Sequence, residues 1–77
     1  MPIIEVTLGQ GRTPSQLRSL IEALTEATVK TIAVPLENIR VVIREVPKTH
    51  YAAGSETLAE RDERLAASAL DRSGAAP

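Results

Sequence analysis

The chain has 77 residues and a mass of 8.3 kDa, so we expect one small domain. Hydrophobic residues make up 43%, but Tyr51 is the only aromatic residue, and a core must be built from Leu, Ile, Val and Ala. A net charge of −1 argues against a nucleic-acid surface, and no apolar run is long enough to span a membrane. Cysteine is absent, which excludes disulfides and thiolate zinc sites and leaves self-association as the expected source of extra stability.

In the first segment, residues 2–8, the side chains alternate between two faces, as in a half-buried strand. The segment lacks the basic region and the long apolar stretch of a signal peptide. We therefore expect a strand in a cytoplasmic protein. One face of the strand carries Ile4, Val6 and Leu8, and the other carries Ile3, Glu5 and Thr7. Gly9 and Gly11 end the alternation.

A helix is predicted to follow at once. Thr13 suits the N-cap position, and Pro14 suits the first helical position. Gln16 suits the third helical position, where it would complete a capping box with Thr13. The helix should end before Pro35, because the residue before a proline avoids the α region. Spacings of three and four predict an apolar stripe over Leu17, Leu20, Ile21, Leu24, Ala27, Thr28, Thr31 and Ile32.

A turn over residues 36–38 and a second strand over residues 39–46 complete a strand–helix–strand unit, which requires a parallel strand pair. The helix covers only one face of this pair. The other face and both edges would remain bare, and a sheet of two strands is not stable alone. We therefore expect an obligate oligomer, in which dimers form a four-stranded sheet and further stacking of dimers covers the bare face.

The remaining residues predict a smaller element. Residues 52–55 suit a turn or short hairpin, and Thr57 with Glu60 forms a second capping-box pattern. A short C-terminal helix should follow, with a weak stripe over Leu58, Leu65, Ala66, Ala69 and Leu70. The fold class is thus α+β, with a single domain over residues 1–72 and a disordered tail over residues 73–77.

Few residues suit catalysis, and Pro2 is the exception. Removal of Met1 would expose a secondary amine at the start of a strand. An α-amino group has a pKa near ~8, and burial together with nearby arginines lowers it, so the amine could act as a general base. The alternative is that Pro2 is only a processing signal. His50 has no partner for a nucleophilic triad and is interpreted as structural or exposed.

Several pieces together resemble the 4-oxalocrotonate tautomerase family. They are Pro2-Ile3-Ile4, Gly11-Arg12, the capped helix and the stretch from Asn38 to Glu45. The similarity runs in register from Pro2 to about Gly54. It implies a β-α-β protomer that forms dimers and usually hexamers, and a cytoplasmic isomerase of aromatic catabolism that needs no cofactor.

The resemblance also implies roles for three residues. Pro2 would be the catalytic base, Arg12 would hold the remote carboxylate of a dicarboxylate substrate, and Arg40 would bind the 2-keto acid end. Because Pro2 and Arg12 lie at opposite ends of a strand about 20 Å long, an Arg12 that reaches Pro2 must come from another chain. Without the resemblance, Arg12 is interpreted as a solvated loop residue ahead of the helix cap. Arg40 is then interpreted as part of a solvated or ion-paired row with Arg44.

Four more residues are candidates for substrate binding. Tyr51 falls where the family has an aromatic pocket wall, although it could be a packing anchor only. Asn38 is a turn residue that borders the predicted pocket. Gly9 and Ala53 stand where larger residues are frequent, so they would widen it.

The predicted reaction is keto–enol tautomerisation of a 2-hydroxydienoate or 2-keto acid such as 2-hydroxymuconate. A related activity, dehalogenation of 3-haloacrylates, ranks lower because Ala53 lacks the expected carboxylate and no extra arginine lies near Gly9. A non-catalytic subunit of a hetero-oligomer and a pure interaction module remain alternatives. The expected partners are a small carboxylate substrate and further copies of the chain, as a homohexamer or else a dimer, trimer or hetero-hexamer, without nucleic acid or membrane.

Overall fold

The computed structural model describes the backbone of residues 1–75 and the side chains of residues 1–69. The chain divides after Glu45 into two compact units. The first contains strand β1 (Ile3–Gly9), helix α1 (Pro14–Ile32) and strand β2 (Arg40–Val46), whose last residue crosses the division. The second contains strands β3 (Ala52–Ala53) and β4 (Glu56–Thr57) and helix α2 (Leu58–Ala75).

The predicted parallel strand pair is present in the first unit. β1 and β2 form a two-stranded sheet, and their first residues meet where the Arg40 N–H donates to the Pro2 carbonyl at 3.0 Å. Farther along, the Arg44 side chain contacts Glu5, so the strands run in the same direction. The second strand begins at Arg40, one residue later than predicted, because Ile39 still belongs to the end of the preceding turn.

Helix α1 begins with the predicted capping box. The Thr13 N–H donates to Gln16 Oε1 at 2.9 Å, and the Gln16 N–H donates to Thr13 Oγ1 at 3.2 Å. The helix ends at Ile32, before Pro35 as predicted, and Ala33 closes it in the left-handed region with φ 52°. A 3-10 turn over Leu36–Asn38 then leads into β2.

Burial in the first unit is one-sided. β1 alternates between half-buried and exposed side chains along its length, with the half-buried face carrying Ile4, Val6 and Leu8 as predicted. The predicted helix stripe is half-buried at Leu17, Leu20, Ile21, Leu24 and Thr28. Ala27 and Thr31 are exposed, and Ile32 is 55% exposed, so the prediction was wrong at these three positions. Among the described residues, Ile39 is the one hydrophobic residue that is buried, with 9% of its surface exposed. A core this small predicts that further copies of the chain must supply packing surface.

The second unit begins with the predicted hairpin. β3 and β4 pair antiparallel, with Ala52 opposite Thr57 and Ala53 opposite Glu56. The turn between them contains Gly54 at φ 65°, a left-handed conformation that a side chain disfavours. The Leu58 N–H donates to the Tyr51 carbonyl at 2.8 Å and extends the hairpin by one more bond.

Helix α2 carries the second predicted capping box, in which Thr57 and Glu60 exchange hydrogen bonds of 2.9 and 3.1 Å. The helix continues to Ala75, farther than the sequence stripe indicated. Its last residues overlap the predicted tail, and the rest of that tail, residues 76 and 77, lies outside the described residues. The tail and the single-domain boundary at residue 72 stay predictions.

Two ion pairs tie α2 to the preceding part of its unit. Lys48 Nζ lies 2.8 Å from Asp62 Oδ2, and Arg64 Nε donates to Glu56 Oε2 at 2.9 Å. A second donor of Arg64 reaches the other oxygen of Glu56 at 3.2 Å, so that contact is bidentate. No helix in the described part of the chain is long and apolar enough to cross a membrane.

Candidate functional site

Pro2 and Arg40 lie together where the two parallel strands start. Their main chains are joined by the 3.0 Å hydrogen bond from the Arg40 N–H to the Pro2 carbonyl. Pro2 is half-buried, whereas Met1 is 78% exposed. The amine that removal of Met1 would free therefore lies at the strand end that also carries Arg40.

The Arg40 side chain is held by the turn that precedes it. Its Nη1 group donates to the Glu37 carbonyl at 2.8 Å, and the side chain is otherwise exposed. A guanidinium has five N–H donors, so one tether leaves further donors for an anion. This tether was not predicted, because a bond from a side chain to a main-chain carbonyl leaves no pattern in the sequence.

Asn38 belongs to the same turn. Its N–H donates to the Pro35 carbonyl at 3.0 Å, and its side chain is exposed two residues before Arg40. The structure therefore groups three of the predicted residues, Pro2, Asn38 and Arg40, at one end of the strand pair.

Gly9 and Arg12 lie at the opposite end of β1. Gly9 is the last residue of the strand and is buried, and Arg12 is exposed directly before the helix cap. Seven strand residues separate this end from Pro2, which corresponds to about 23 Å of extended chain. Arg12 and Pro2 of one chain are thus not brought together.

Tyr51 and Ala53 belong to the second unit, in and beside the short hairpin. Tyr51 is 37% exposed, and its carbonyl is used in the hairpin ladder. Ala53 is exposed in β3, directly before the turn at Gly54. The hairpin holds the main chain at both positions and leaves both side chains accessible.

A groove of about 260 Å³ lies between α1 and the 3-10 turn in the first unit. None of the seven predicted site residues lines this groove. Its lining consists of Arg18, Glu22, Thr25, Glu26, Leu36 and Ile39. The residues grouped at Pro2 therefore lie outside this groove.

Glu56 and Arg64, in the second unit, shift each other's pKa. The bidentate hydrogen bond and charge of Arg64 hold the pKa of Glu56 below its ordinary value of 4.5. The same contact raises the pKa of Arg64. Within the described residues, no group of three or more His, Cys, Asp or Glu side chains could hold a metal ion.

Comparison with known protein families gives a match over most of the chain. A family described as "Tautomerase enzyme" matches residues 2–61. The matched stretch includes β1, α1, β2, the hairpin and the first turn of α2. The rest of α2 lies beyond it.

Individual relatives agree with this match. A probable tautomerase of Ralstonia nicotianae is 49% identical over 51 residues, which covers 66% of this chain and 73% of the relative. A 2-hydroxymuconate tautomerase of Pseudomonas sp. strain CF600 is 41% identical over 56 residues, covering 73% of this chain and 89% of the relative. Among solved structures, a heterohexamer 4-oxalocrotonate tautomerase from Chloroflexus aurantiacus superposes with a TM-score of 0.74 at 37% identity, covering 78% of this chain and 97% of that one.

Proposed function

The chain belongs to the tautomerase enzyme family, and we propose that it tautomerises a 2-hydroxydienoate or 2-keto acid such as 2-hydroxymuconate, with Pro2 as the general base. Its relatives are tautomerases, and the chain is accordingly an isomerase. The observation that carries the proposal is the hydrogen bond that joins Pro2 to Arg40 at the shared start of β1 and β2. This hydrogen bond supports a site in which the base, Pro2, and the cation, Arg40, lie at the same end of the sheet.

The first step removes a proton from the substrate. Without Met1, the Pro2 nitrogen is a secondary amine rather than an amide, and its neutral form accepts the proton of the 2-hydroxyl group of the dienol. A base whose pKa lies near the working pH is suited to both taking and returning a proton. The result is a dienolate and a protonated Pro2.

The second step returns the proton to a different carbon. Arg40 stabilises the negative charge that develops on the oxygen at C2, and donors fixed in advance are effective at this task. Its tether to the Glu37 carbonyl supports such a fixed orientation. Protonated Pro2 then delivers the proton to a carbon of the dienolate, which yields the ketonised isomer and restores the neutral amine. The two steps need a base, a cation and a site from which water is excluded. Neither step involves a redox change or a metal ion.

Arg12 completes the proposed site by binding the remote carboxylate of a dicarboxylate substrate. Because β1 separates it from Pro2 of its own chain, the Arg12 in each site comes from another copy. Tyr51, Asn38, Gly9 and Ala53 would line the pocket that this association encloses. Self-association, as a homohexamer in our proposal, is thus a condition for catalysis. The cytoplasmic location also remains a proposal.

The test is the ketonisation of 2-hydroxymuconate by purified protein, followed by the loss of dienol absorbance. Pro2→Ala and Arg40→Gln should each lower kcat/KM by about 100-fold or more, the usual scale for a base or an oxyanion contact. Arg18→Gln is the matched control, because Arg18 is an exposed arginine on α1 that forms an ion pair with Glu22 on the same helix. Equal activity of Arg40→Gln and Arg18→Gln would contradict the role of Arg40.

A second candidate function is a subunit of a mixed assembly, favoured by the similarity to a structure described as a heterohexamer. Pro2, Arg12 and Arg40 are all present in this chain, which supports activity without a second chain type. Expression of this chain alone separates the two candidates. Assembly with turnover supports the homo-oligomer, and an inactive protein that gains activity from a homologous chain supports the mixed one.

A further inference from the structure

The hairpin that carries Tyr51 and Ala53 has few bonds of its own. Its ladder consists of two residue pairs and one further bond, from the Leu58 N–H to the Tyr51 carbonyl at 2.8 Å. A hairpin of two short strands is marginally stable in water by itself. Ala52 and Ala53 are exposed and too small to anchor the hairpin by apolar packing, so its position must depend on contacts with a neighbouring element.

Helix α2 contacts the chain directly before this hairpin. Lys48 belongs to a 3-10 turn, Lys48–His50, that precedes Tyr51. Its Nζ lies 2.8 Å from Asp62 Oδ2 on α2, and both residues are half-buried. An ion pair of this length is a charge-assisted hydrogen bond, which is stronger than a neutral one. The residues that lead into the hairpin are therefore fastened to α2.

A second contact fastens the other strand of the hairpin. Glu56 lies in β4 opposite Ala53, and it accepts two hydrogen bonds from Arg64 of α2, at 2.9 and 3.2 Å. A bidentate contact between a guanidinium and a carboxylate fixes direction as well as distance. Asp62 and Arg64 are two residues apart, so they lie on different sides of α2. Contacts from two sides oppose rolling of the helix against the hairpin.

The hairpin passes into α2 without a linker. β4 ends at Thr57, and α2 begins at Leu58. Thr57 also caps the helix, through the hydrogen bonds that it exchanges with Glu60. A single exposed ion pair contributes little, but two pairs in good geometry on a helix that is joined to the hairpin act together. The hairpin and the first turns of α2 therefore form one braced piece.

We propose that Asp62 and Arg64 are positioning residues for the pocket wall formed by Tyr51 and Ala53. By holding the hairpin, α2 sets how closely this wall fits the carbon chain of the substrate. The proposal rests on the proposed function, in which these two hairpin residues line the pocket. The family match ends at residue 61, so both positioning residues lie just beyond it.

The test removes each charge on α2 and nearly keeps the size of the side chain. Asp62→Asn and Arg64→Gln should each raise KM for 2-hydroxymuconate by about threefold, and the double variant by about tenfold. The kcat should change by less than about twofold, because a wall that contacts the carbon chain contributes equally to binding before and during the reaction. The matched control is Glu63→Gln, which removes an exposed charge between the two residues and should leave KM unchanged.

A charge swap separates a positioning role from general damage to α2. Arg64→Glu places a carboxylate against Glu56 and should raise KM more than Arg64→Gln does. In the double variant Glu56→Arg/Arg64→Glu the two side chains can pair again, so KM should fall below that of Arg64→Glu.

Hydrogen exchange of the Leu58 amide, measured by NMR, reports on the brace without a substrate. This amide donates to the Tyr51 carbonyl at the junction of the hairpin and α2. Its exchange should be about threefold faster in Arg64→Gln than in the original chain, and it should slow again in the charge swap relative to Arg64→Glu. Glu63→Gln should leave it unchanged.

Binding of adipate separates this inference from the proposed function, because this saturated dicarboxylate has the carbon skeleton of 2-hydroxymuconate and cannot tautomerise. Its Kd, measured by isothermal titration calorimetry, should rise about threefold in Asp62→Asn and in Arg64→Gln. This rise in a protein without turnover would contradict the proposed function alone. Kd values equal to that of Glu63→Gln, or no recovery in the charge swap, would overturn this inference, with or without turnover.

Discussion

If Pro2 and Arg12 of each site come from different copies, two variants that are each impaired should restore activity when they are mixed. Pro2→Ala replaces the secondary amine of the base by a primary amine and should lower turnover, and Arg12→Ala removes the group that binds the remote carboxylate. Loss of a hydrogen bond to a charged group costs about 1.5–3 kcal/mol, so Arg12→Ala alone should lower kcat/KM by about 10- to 100-fold. The expectation follows from β1, whose seven residues separate the two groups within one chain.

The size of the recovery follows from counting sites. In assemblies formed at random from equal amounts of the two variants, half of the sites take Pro2 from the Arg12→Ala chain, and half of those take Arg12 from the Pro2→Ala chain. About one quarter of all sites are then complete, and the mixture should show about one quarter of the original activity. If both groups came from the same chain, no site would be complete.

The assay compares ketonisation rates of the two variants, separately and after co-refolding, at the same total protein concentration. Native mass spectrometry of the same sample verifies that mixed assemblies have formed. A control mixture of Pro2→Ala with the original chain reports how far an inactive copy affects its neighbours. A mixture that contains mixed assemblies but shows only the average activity of its two parents would refute the shared site.

Three further predictions concern local features. Ala33 closes α1 in the left-handed region, so Ala33→Gly should raise the free energy of unfolding by about 0.5–1 kcal/mol in urea denaturation, and a lowered midpoint would contradict this. Thr13→Ala removes the capping box of α1 and should lower the free energy of unfolding by about 1 kcal/mol, measured at one protein concentration. Arg64 lowers the pKa of Glu56, so the contact stabilises α2 above the ordinary pKa of 4.5 and is lost as the pH falls through the lowered value. Glu56→Gln should therefore flatten the pH dependence of the α2 amide signals in NMR spectra at acidic pH, and an unchanged dependence would contradict the role of this pair.

Local signals predicted most of the first unit. The capping box at Thr13 and Gln16, the alternation of β1 and the stop before Pro35 each depend on residues that are close in sequence, and each is present in the structure. Such patterns are readable because the interactions that they describe span three or four residues. The second capping box, at Thr57, was predictable for the same reason.

Contacts between distant residues were not predictable in this way. Glu5 and Arg44 are 39 residues apart, and their pairing depends on the register of two strands, which the residue types alone leave open. The length of α2 was underestimated because its apolar stripe, from Leu58 to Leu70, ends before the helix does. Ion pairs also join the helix to Lys48 and Glu56, and the sequence does not reveal them. The pairing of Glu5 with Arg44 and the ion pairs of α2 therefore depend on contacts between elements more than on the local propensity of the residues.

The candidate site likewise has some features that the sequence predicts and others that it does not. Pro2 and Arg40 could be placed at one end of the sheet from the parallel topology alone, and the structure joins their main chains there. The tether from Arg40 to the Glu37 carbonyl could not be foreseen. Arg12 lies beyond the far end of β1 from Pro2 of its own chain, so its place in the site stays a proposal.

The role of Pro2 is tested most directly by measuring intact mass and turnover on one sample. If Pro2 is the base, the mature protein lacks Met1, and that fraction carries all of the activity on 2-hydroxymuconate. A matched sample in which Met1 is retained should be inactive, because the Pro2 nitrogen is then an amide. Full turnover by protein that still carries Met1 would contradict the assignment.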